Sequence, residues 1–131
     1  MEMVVTFPGG LKVNASYKGY TIQTDQPITA GGDGSAPAPF DLFLASIGTC
    51  AGLYVLRFCQ ERNIPTDSAR IVLTTERDDQ TKMIKKINID IKLPDGFPEK
   101  YMKAVVSAAN KCPVKNHILH PPEFSINASI G

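Results

Sequence analysis

The chain has 131 residues, 43% hydrophobic and 21% charged, which is enough for one globular domain over residues 1–131. Its net charge of +1 and scattered Lys and Arg residues give no dense basic surface, so we expect neither nucleic acid nor a membrane as a partner. MEMVVTFPGG lacks the pattern of a secretory signal, which predicts a cytoplasmic protein. Its three cysteines are therefore expected to pack, bind metal or react.

The N-terminal region predicts a small antiparallel meander. The runs MVVTF, LKVNASY and YTIQTD are rich in β-branched and aromatic residues, and the turn signals PGG and KG separate them. Residues 26–39, QPITAGGDGSAPAP, have no apolar periodicity and predict a mobile loop. The loop lacks the glycine spacing and the following Lys of a phosphate-binding P-loop.

A long apolar helix is predicted from Pro39 to about Arg62. Pro39 suits the first turn, and Asp41 suits the positive end of the helix dipole. The uncharged stretch 42–56 is shorter than the roughly 18 to 20 apolar residues that cross a bilayer, which favours a buried core helix. Because the helix is apolar nearly all round, more than one face must be covered. Either a second copy of the chain packs on it, or the small residues around Cys50 let it cross its own sheet.

The remaining sequence predicts strands, two helices and a closing strand. Residues 69–77 and 84–93 are strand-like, and the second run alternates apolar and polar side chains. After a PDG turn, PEKYMKAVVSAANK has helical spacing, and CPVKNHILH predicts a further short helix. EFSINASI predicts a final strand. This order of elements indicates an α+β fold.

Two of the three cysteines lie on the predicted long helix. Cys59 follows Cys50 by nine positions, which at 100° per residue places the two thiols on opposite faces. Arg57 lies within about 20° of the Cys50 direction and further along the axis, so it is a candidate to face the same pocket.

The third cysteine precedes a proline in ANKCPVKNHILH. Cys112 therefore suits the N-cap of a short helix with Pro113 in the first turn, where backbone N–H groups favour a thiolate. Four nearby residues can add positive potential: Lys111, Lys115, His117 and His120. The alternative is a small buried hydrophobic residue.

Two other interpretations of this segment involve its histidines. Cys112 with His117 and His120 has a C-x4-H-x2-H spacing, but only Glu123 or Cys50 is available as a fourth zinc ligand, so we expect no metal and no cofactor. A Cys–His nucleophile pair stays open as well.

The two cysteine contexts resemble those of a known family. APAPFDLFLASIGTCAGLYVLRFCQERNI, followed by AANKCPVKNHI, is similar to the OsmC/Ohr family of osmotically inducible and organic-hydroperoxide-resistance proteins. The resemblance extends over the whole chain and implies an OsmC-like fold, with antiparallel sheets and a long central apolar helix. It also implies an intertwined homodimer, two active sites at the subunit interface, and a peroxidase cycle without metal or haem.

By position, Cys50 corresponds to the family's peroxidatic cysteine and Cys112 to its resolving cysteine. The resemblance implies that a hydroperoxide oxidises Cys50 to a sulfenic acid, that Cys112 condenses with it, and that an external dithiol reduces the disulfide. The small residues around Cys50 would make room for an apolar peroxide tail. Cys59 matches no catalytic position and is expected in the core.

The sequence departs from the family pattern near Cys50. The family's Glu ten residues before the reactive cysteine is Phe40 here, and no Arg precedes Arg57. Because apolar surroundings raise the pKa of a thiol, a cation is needed, and Lys12, Lys18 and Arg57 are candidates. Asp41 is the candidate to hold it.

These features predict a divergent OsmC-like thiol peroxidase. The alternative is a non-enzymatic dimer that binds an apolar small molecule or a sulfur species in the same pocket.

Overall fold

The computed structural model describes all 131 residues. The chain divides into two compact units, Met1–Ala45 and Ser46–Gly131. In chain order the elements are β1 (Val4–Gly9), β2 (Lys12–Tyr17), β3 (Tyr20–Thr24), α1 (Pro39–Glu61), β4 (Arg70–Arg77), β5 (Ile84–Lys92), α2 (Met102–Ala109) and α3 (Pro113–Leu119). Single 3₁₀ turns lie at Ile28–Ala30 and Glu99–Tyr101. The predicted α+β class is confirmed, and the boundary between the units falls inside α1.

The first unit contains the predicted meander, with β1, β2 and β3 in antiparallel order. Tyr17 lies opposite Tyr20, so Lys18 and Gly19 form a two-residue hairpin turn. Both turn residues have positive φ, 50° and 81°, as a type I′ turn requires. The strand pattern and the turn signal therefore predicted this sheet correctly.

The loop after β3 is organised by a buried carboxylate, Asp25, which is 1% exposed. Asp25 accepts hydrogen bonds from the Ser35 hydroxyl (2.6 Å), the Ser35 N–H (3.1 Å) and the Gln26 N–H (2.7 Å). These bonds, those of Ser35 first, lower the pKa of Asp25 to about 2. Lys12 Nζ lies 4.0 Å from the same carboxylate. The sequence predicted a loop here but did not identify its anchor.

The second unit packs its part of α1 with α2 and the antiparallel pair β4–β5. The centre of its core consists of Val55, Phe58, Cys59 and Val105. Cys59 is fully buried, which confirms its predicted place in the core.

Only one face of α1 is covered within the chain. Its buried residues are Ile47, Ala51, Val55, Phe58 and Cys59. Leu53 and Leu56, which point to the other side, are 42% and 37% exposed. The prediction of a buried core helix is thus confirmed for one face.

By length and composition alone, α1 is long and apolar enough to cross a membrane. Within the chain, 28% of its most apolar 18-residue stretch is buried. This is weak evidence for a membrane span, because core helices of soluble proteins have the same properties.

The predicted closing strand EFSINASI is wrong, since residues 121–131 form no regular structure. The apolar side chains of the segment are almost fully exposed: Phe124 85%, Ile126 93% and Ile130 106%. Alternating side chains indicate which residues would share a face, but a strand forms only when its N–H and C=O groups bond to a neighbouring strand. This segment has no such neighbour within the chain.

Candidate thiol site

The second unit brings Cys50 and Cys112 together although they are far apart in sequence. Cys50 lies in the middle of α1, and Cys112 lies directly before α3. The Cys112 side chain lies near enough to the Cys50 thiol to raise its pKa. Both residues are free thiols in this structure. The fold thus brings together the two thiols that the sequence comparison paired.

Cys112 occupies the predicted N-cap position. Its backbone is non-helical (φ −53°, ψ 115°), Pro113 follows in the first turn, and its Sγ accepts a hydrogen bond from the Lys115 N–H at 3.4 Å. The sulfur thus takes the place of the side-chain oxygen that usually caps a helix. Cys112 is also 1% exposed, so the alternative of a buried small side chain is correct at the same time.

Cys50 is half-buried, and its surroundings favour the neutral thiol. Burial raises the pKa of Cys50, and the hydrogen bond and charge of Cys112 raise it further. A hydrogen bond from the Val114 backbone N–H acts in the opposite direction. No Lys or Arg is among the groups that shift this pKa. The Val114 N–H therefore stabilises the Cys50 thiolate without a cation.

The small residues around Cys50 allow α1 to cross its own sheet. A Cβ atom added at Gly48 would lie 3.8 Å from Leu73 Cδ1, and one at Gly52 would lie 3.6 Å from Ile71 Cδ1. Both glycines therefore face β4. This confirms one of the two interpretations of these small residues, and the packing of a second copy stays a prediction.

A cavity of about 290 Å³ lies beside Cys112. Its lining is formed by α1, β5 with the following Leu93, α2 and the start of α3: Ile47, Ala51, Ile89, Asp90, Ile91, Leu93, Met102, Val105, Val106, Ala109, Asn110, Cys112 and Lys115. Most of these side chains are apolar. The sequence indicated room near Cys50, whereas this cavity borders Cys112.

The other candidate side chains in the second unit make local contacts. The Arg57 guanidinium lies 6.0 Å from the centre of the Tyr54 ring. His117 Nδ1 lies 2.7 Å from the Pro113 carbonyl oxygen, and Lys111 is exposed. No group of three or more His, Cys, Asp or Glu side chains has the arrangement of a metal site.

The candidates in the first unit also have local partners. Asp41 accepts a hydrogen bond from the Ala38 N–H at 3.0 Å and so caps the start of α1. Lys18 Nζ lies 5.0 Å from the centre of the Tyr17 ring. Lys12 Nζ bonds to the Asp33 carboxylate. Asp41 and Lys12 thus have roles in local structure.

Sequence reasoning did not identify the Val114 N–H as a partner of Cys50. The Cys-Pro signal placed the start of a helix at this point, and the next residue after Pro113 is the first one with an N–H to donate. The Cys-Pro signal therefore indicates that the Val114 N–H is free to donate. It does not indicate that Cys50 accepts, because Cys50 belongs to α1 and is distant in the sequence.

The sequence model of the OsmC-like protein family matches residues 32–127. A comparison with curated proteins gave no match. The fold is similar to that of a candidate osmotic-stress-induced and detoxification-response protein of Psychrobacter arcticus 273-4, with 25% identity, a TM-score of 0.73, and 91% of this chain and 88% of that chain covered.

Two other solved structures share the fold at lower identity. An OsmC-like protein of Mycoplasma pneumoniae has 14% identity and a TM-score of 0.69, with 92% and 87% of the two chains covered. An organic hydroperoxide resistance protein of Legionella pneumophila has 19% identity and a TM-score of 0.53, with 90% and 89% covered. Since the family match spans most of the sequence and agrees with the fold, this chain belongs to the OsmC-like protein family.

Proposed function

We propose that this protein is a thiol-dependent hydroperoxide reductase in which Cys50 reacts with the peroxide and Cys112 resolves the product. The observation that carries the proposal is that the fold brings the two thiols near enough for Cys112 to raise the pKa of Cys50. Membership of the OsmC-like family supports it, and the Legionella protein that shares the fold is described as an organic hydroperoxide resistance protein.

The reaction needs only the two sulfur atoms and a reductant. The Cys50 thiolate attacks the O–O bond of the hydroperoxide, which releases an alcohol after protonation and leaves Cys50 as a sulfenic acid. The Cys112 sulfur then attacks the Cys50 sulfur, and water leaves as the disulfide forms. An external dithiol returns both cysteines to thiols and is itself oxidised to a disulfide. No metal or cofactor takes part.

The raised pKa of Cys50 lowers the fraction of reactive thiolate at neutral pH. The rate of attack on the peroxide therefore depends on how well the protein stabilises that thiolate. The Val114 N–H supplies one hydrogen bond. Of the cations that the sequence suggests, Lys12 is already paired with Asp33. Arg57, which belongs to the same unit as Cys50, is the candidate that stays available to the thiolate.

We also propose that the working form is a cytoplasmic homodimer. Leu53 and Leu56 present an exposed apolar surface on α1, which a second copy of the same helix would bury. The exposed apolar side chains of Phe124, Ile126 and Ile130 support the same conclusion, because a partner chain would remove them from water.

The proposal is tested by treating the reduced protein with one equivalent of cumene hydroperoxide and analysing non-reduced peptides by mass spectrometry. We expect a Cys50–Cys112 disulfide that forms quickly and is reversed by dithiol, in the wild type and in a Cys59→Ser control. If Cys50 and Cys112 both stay reduced, the protein is not a peroxidase.

The second candidate function is non-enzymatic binding of an apolar small molecule. The apolar cavity beside Cys112 favours it. It predicts that the peroxide leaves the thiols unchanged, so the same experiment separates the two functions.

A further inference from the structure

The helix α3 has little support from the core of the second unit. It has seven residues, and none of them is buried. The Lys115 side chain bonds to Asn110, and His117 Nδ1 lies 2.7 Å from the Pro113 carbonyl oxygen, so these side-chain contacts stay local. A helix of this length is not stable by itself in water. It therefore depends on how its first turn is attached to the rest of the chain.

The first turn of α3 is attached through the two thiols. Cys112 is 1% exposed, and its Sγ accepts the Lys115 N–H at 3.4 Å. The Val114 N–H donates to the Cys50 sulfur. A helix leaves its first N–H groups without partners in the helix, and here two of them are satisfied by sulfur.

The two sides of the thiol pair differ in their freedom to move. Cys50 lies in a helix of 23 residues, between Ile47 and Ala51, which are both 2% exposed. Close packing of this kind resists displacement. Cys112 leads instead into a helix without a buried residue. When a disulfide brings the two sulfurs to about 2.05 Å, the movement is therefore taken up by Cys112 and the first turn of α3.

We propose that α3 is a redox-sensitive helix, which is ordered while Cys50 and Cys112 are thiols and frays when they form a disulfide. The inference rests on the proposed function and adds a conformational response to it. A disulfide sulfur cannot carry the negative charge that strengthens a hydrogen bond from an N–H group. The donors at Val114 and Lys115 are therefore weakened in the same step.

The response extends to the C-terminal segment. Residues 121–131 form no regular structure, and the His120 N–H before them bonds to the Asn116 carbonyl oxygen of α3 at 2.9 Å. Fraying of α3 extends the irregular segment back toward Pro113. The oxidised and reduced proteins thus differ at their surface, in the length of this segment.

Amide hydrogen exchange in α3 tests the proposal. The disulfide is formed with diamide, which takes two electrons and two protons from the two thiols and becomes a hydrazine, so the test does not depend on peroxide turnover. Peptide mass spectrometry verifies the Cys50–Cys112 bond. Exchange is then compared between the reduced and oxidised proteins at residues 116–120, whose N–H groups close the turns of α3.

We expect oxidation to speed exchange at residues 116–120 about threefold to tenfold, as the loss of an N-cap does. Exchange at residues 106–109 of α2 should not change. Unchanged exchange in α3 would overturn the proposal, as would an equal increase in α2 or the failure of diamide to form the disulfide.

Two variants of matched size separate the cap from the disulfide. Cys112→Ser retains a side chain that caps a helix, whereas Cys112→Ala does not, and neither can form the disulfide. Exchange at residues 116–120 should be at least about threefold faster in Cys112→Ala than in Cys112→Ser, and diamide should change it in neither variant. Equal exchange in the two variants contradicts the role of the cap.

Limited trypsin cleavage of the wild type is a second measurement that needs no variant. Lys115 lies in the first turn of α3, and Lys82 lies in the exposed connection between β4 and β5. Cleavage after Lys115 should be about threefold to tenfold faster in the diamide-oxidised protein, and cleavage after Lys82 should be equal in both forms. If Lys115 responds but peroxide forms no disulfide, the proposed peroxidase function fails while the response of α3 stands. Equal cleavage after Lys115 in both forms refutes the response itself.

Discussion

Cys50 and Cys112 are hydrogen-bonded to each other, and each sulfur also meets a backbone N–H of the first turn of α3. Val114 donates to Cys50, and Lys115 donates to Cys112. The first turn of α3 thus provides a backbone hydrogen-bond donor to each of the two thiols. Since these donors belong to the backbone, side-chain substitutions at 114 and 115 leave them in place.

The ionisation of Cys50 should depend on Cys112. Burial, followed by the hydrogen bond and charge of Cys112, raises the pKa of Cys50 above that of an ordinary thiol. Because alkylation requires the thiolate, we expect its rate at Cys50 to rise with pH to a midpoint above that of an ordinary thiol. Cys112→Ala should lower the midpoint, and Cys59→Ala should not. Iodoacetamide labelling at a series of pH values, read by peptide mass spectrometry, measures both; an unchanged midpoint in Cys112→Ala contradicts the coupling.

Acid should weaken the first unit through Asp25. Its pKa is about 2 in the folded protein against 3.8 ordinarily, so the unfolded state binds the proton first as pH falls. The contribution of Asp25 to stability is therefore present above pH 4 and is lost between about pH 4 and about pH 2. Asp25→Asn should reduce this acid-dependent fall in melting temperature. Asp79→Asn, at an exposed position, is the control, and equal acid sensitivity of both variants would count against the role of Asp25.

Position 52 should accept alanine in place of glycine but not a larger side chain. Its added Cβ would be in ordinary contact with Ile71 at 3.6 Å, and alanine favours a helix over glycine by about 0.5–1 kcal/mol, so Gly52→Ala should stabilise the protein by up to that amount. Gly52→Leu should destabilise it by about 1–3 kcal/mol, because the larger side chain overpacks the contact with the sheet. Urea unfolding monitored by circular dichroism gives both values. A destabilised Gly52→Ala would indicate closer packing than the contact with β4 implies.

A charge on the exposed face of α1 should separate the proposed dimer. Leu53→Asp places a carboxylate in the surface that a second copy would bury, where an unpaired charge is costly. Gln60→Asp adds the same charge near the exposed end of the helix as a control. Sedimentation velocity should show a dimer for the wild type and Gln60→Asp and a monomer for Leu53→Asp. A monomeric wild type rules out the dimer directly.

Local patterns in the sequence were sufficient for most of the fold. Alternating residues predicted β5, the Lys18-Gly19 turn predicted the first hairpin, and the Cys112-Pro113 pair predicted the cap of α3. Each of these depends on residues close together in the chain.

Local patterns could not predict the features that depend on residues far apart in the sequence. The predicted strand at 123–130 failed because strand formation depends on a neighbour that this chain does not provide. The contact between Cys50 and Cys112 came from resemblance to a family and not from spacing. The cavity beside Cys112 and the burial of Asp25 result from side chains of several elements, so no single segment indicated them.

The sulfur cap of α3 gives the protein an internal reporter of its oxidation state. The Lys115 amide proton points at the Cys112 sulfur, whose electron density changes when that sulfur enters a disulfide. The chemical shift and solvent-exchange rate of this one amide should therefore differ between reduced and oxidised protein. A single resonance in a ¹⁵N spectrum would then follow the cysteine through its cycle without any added label.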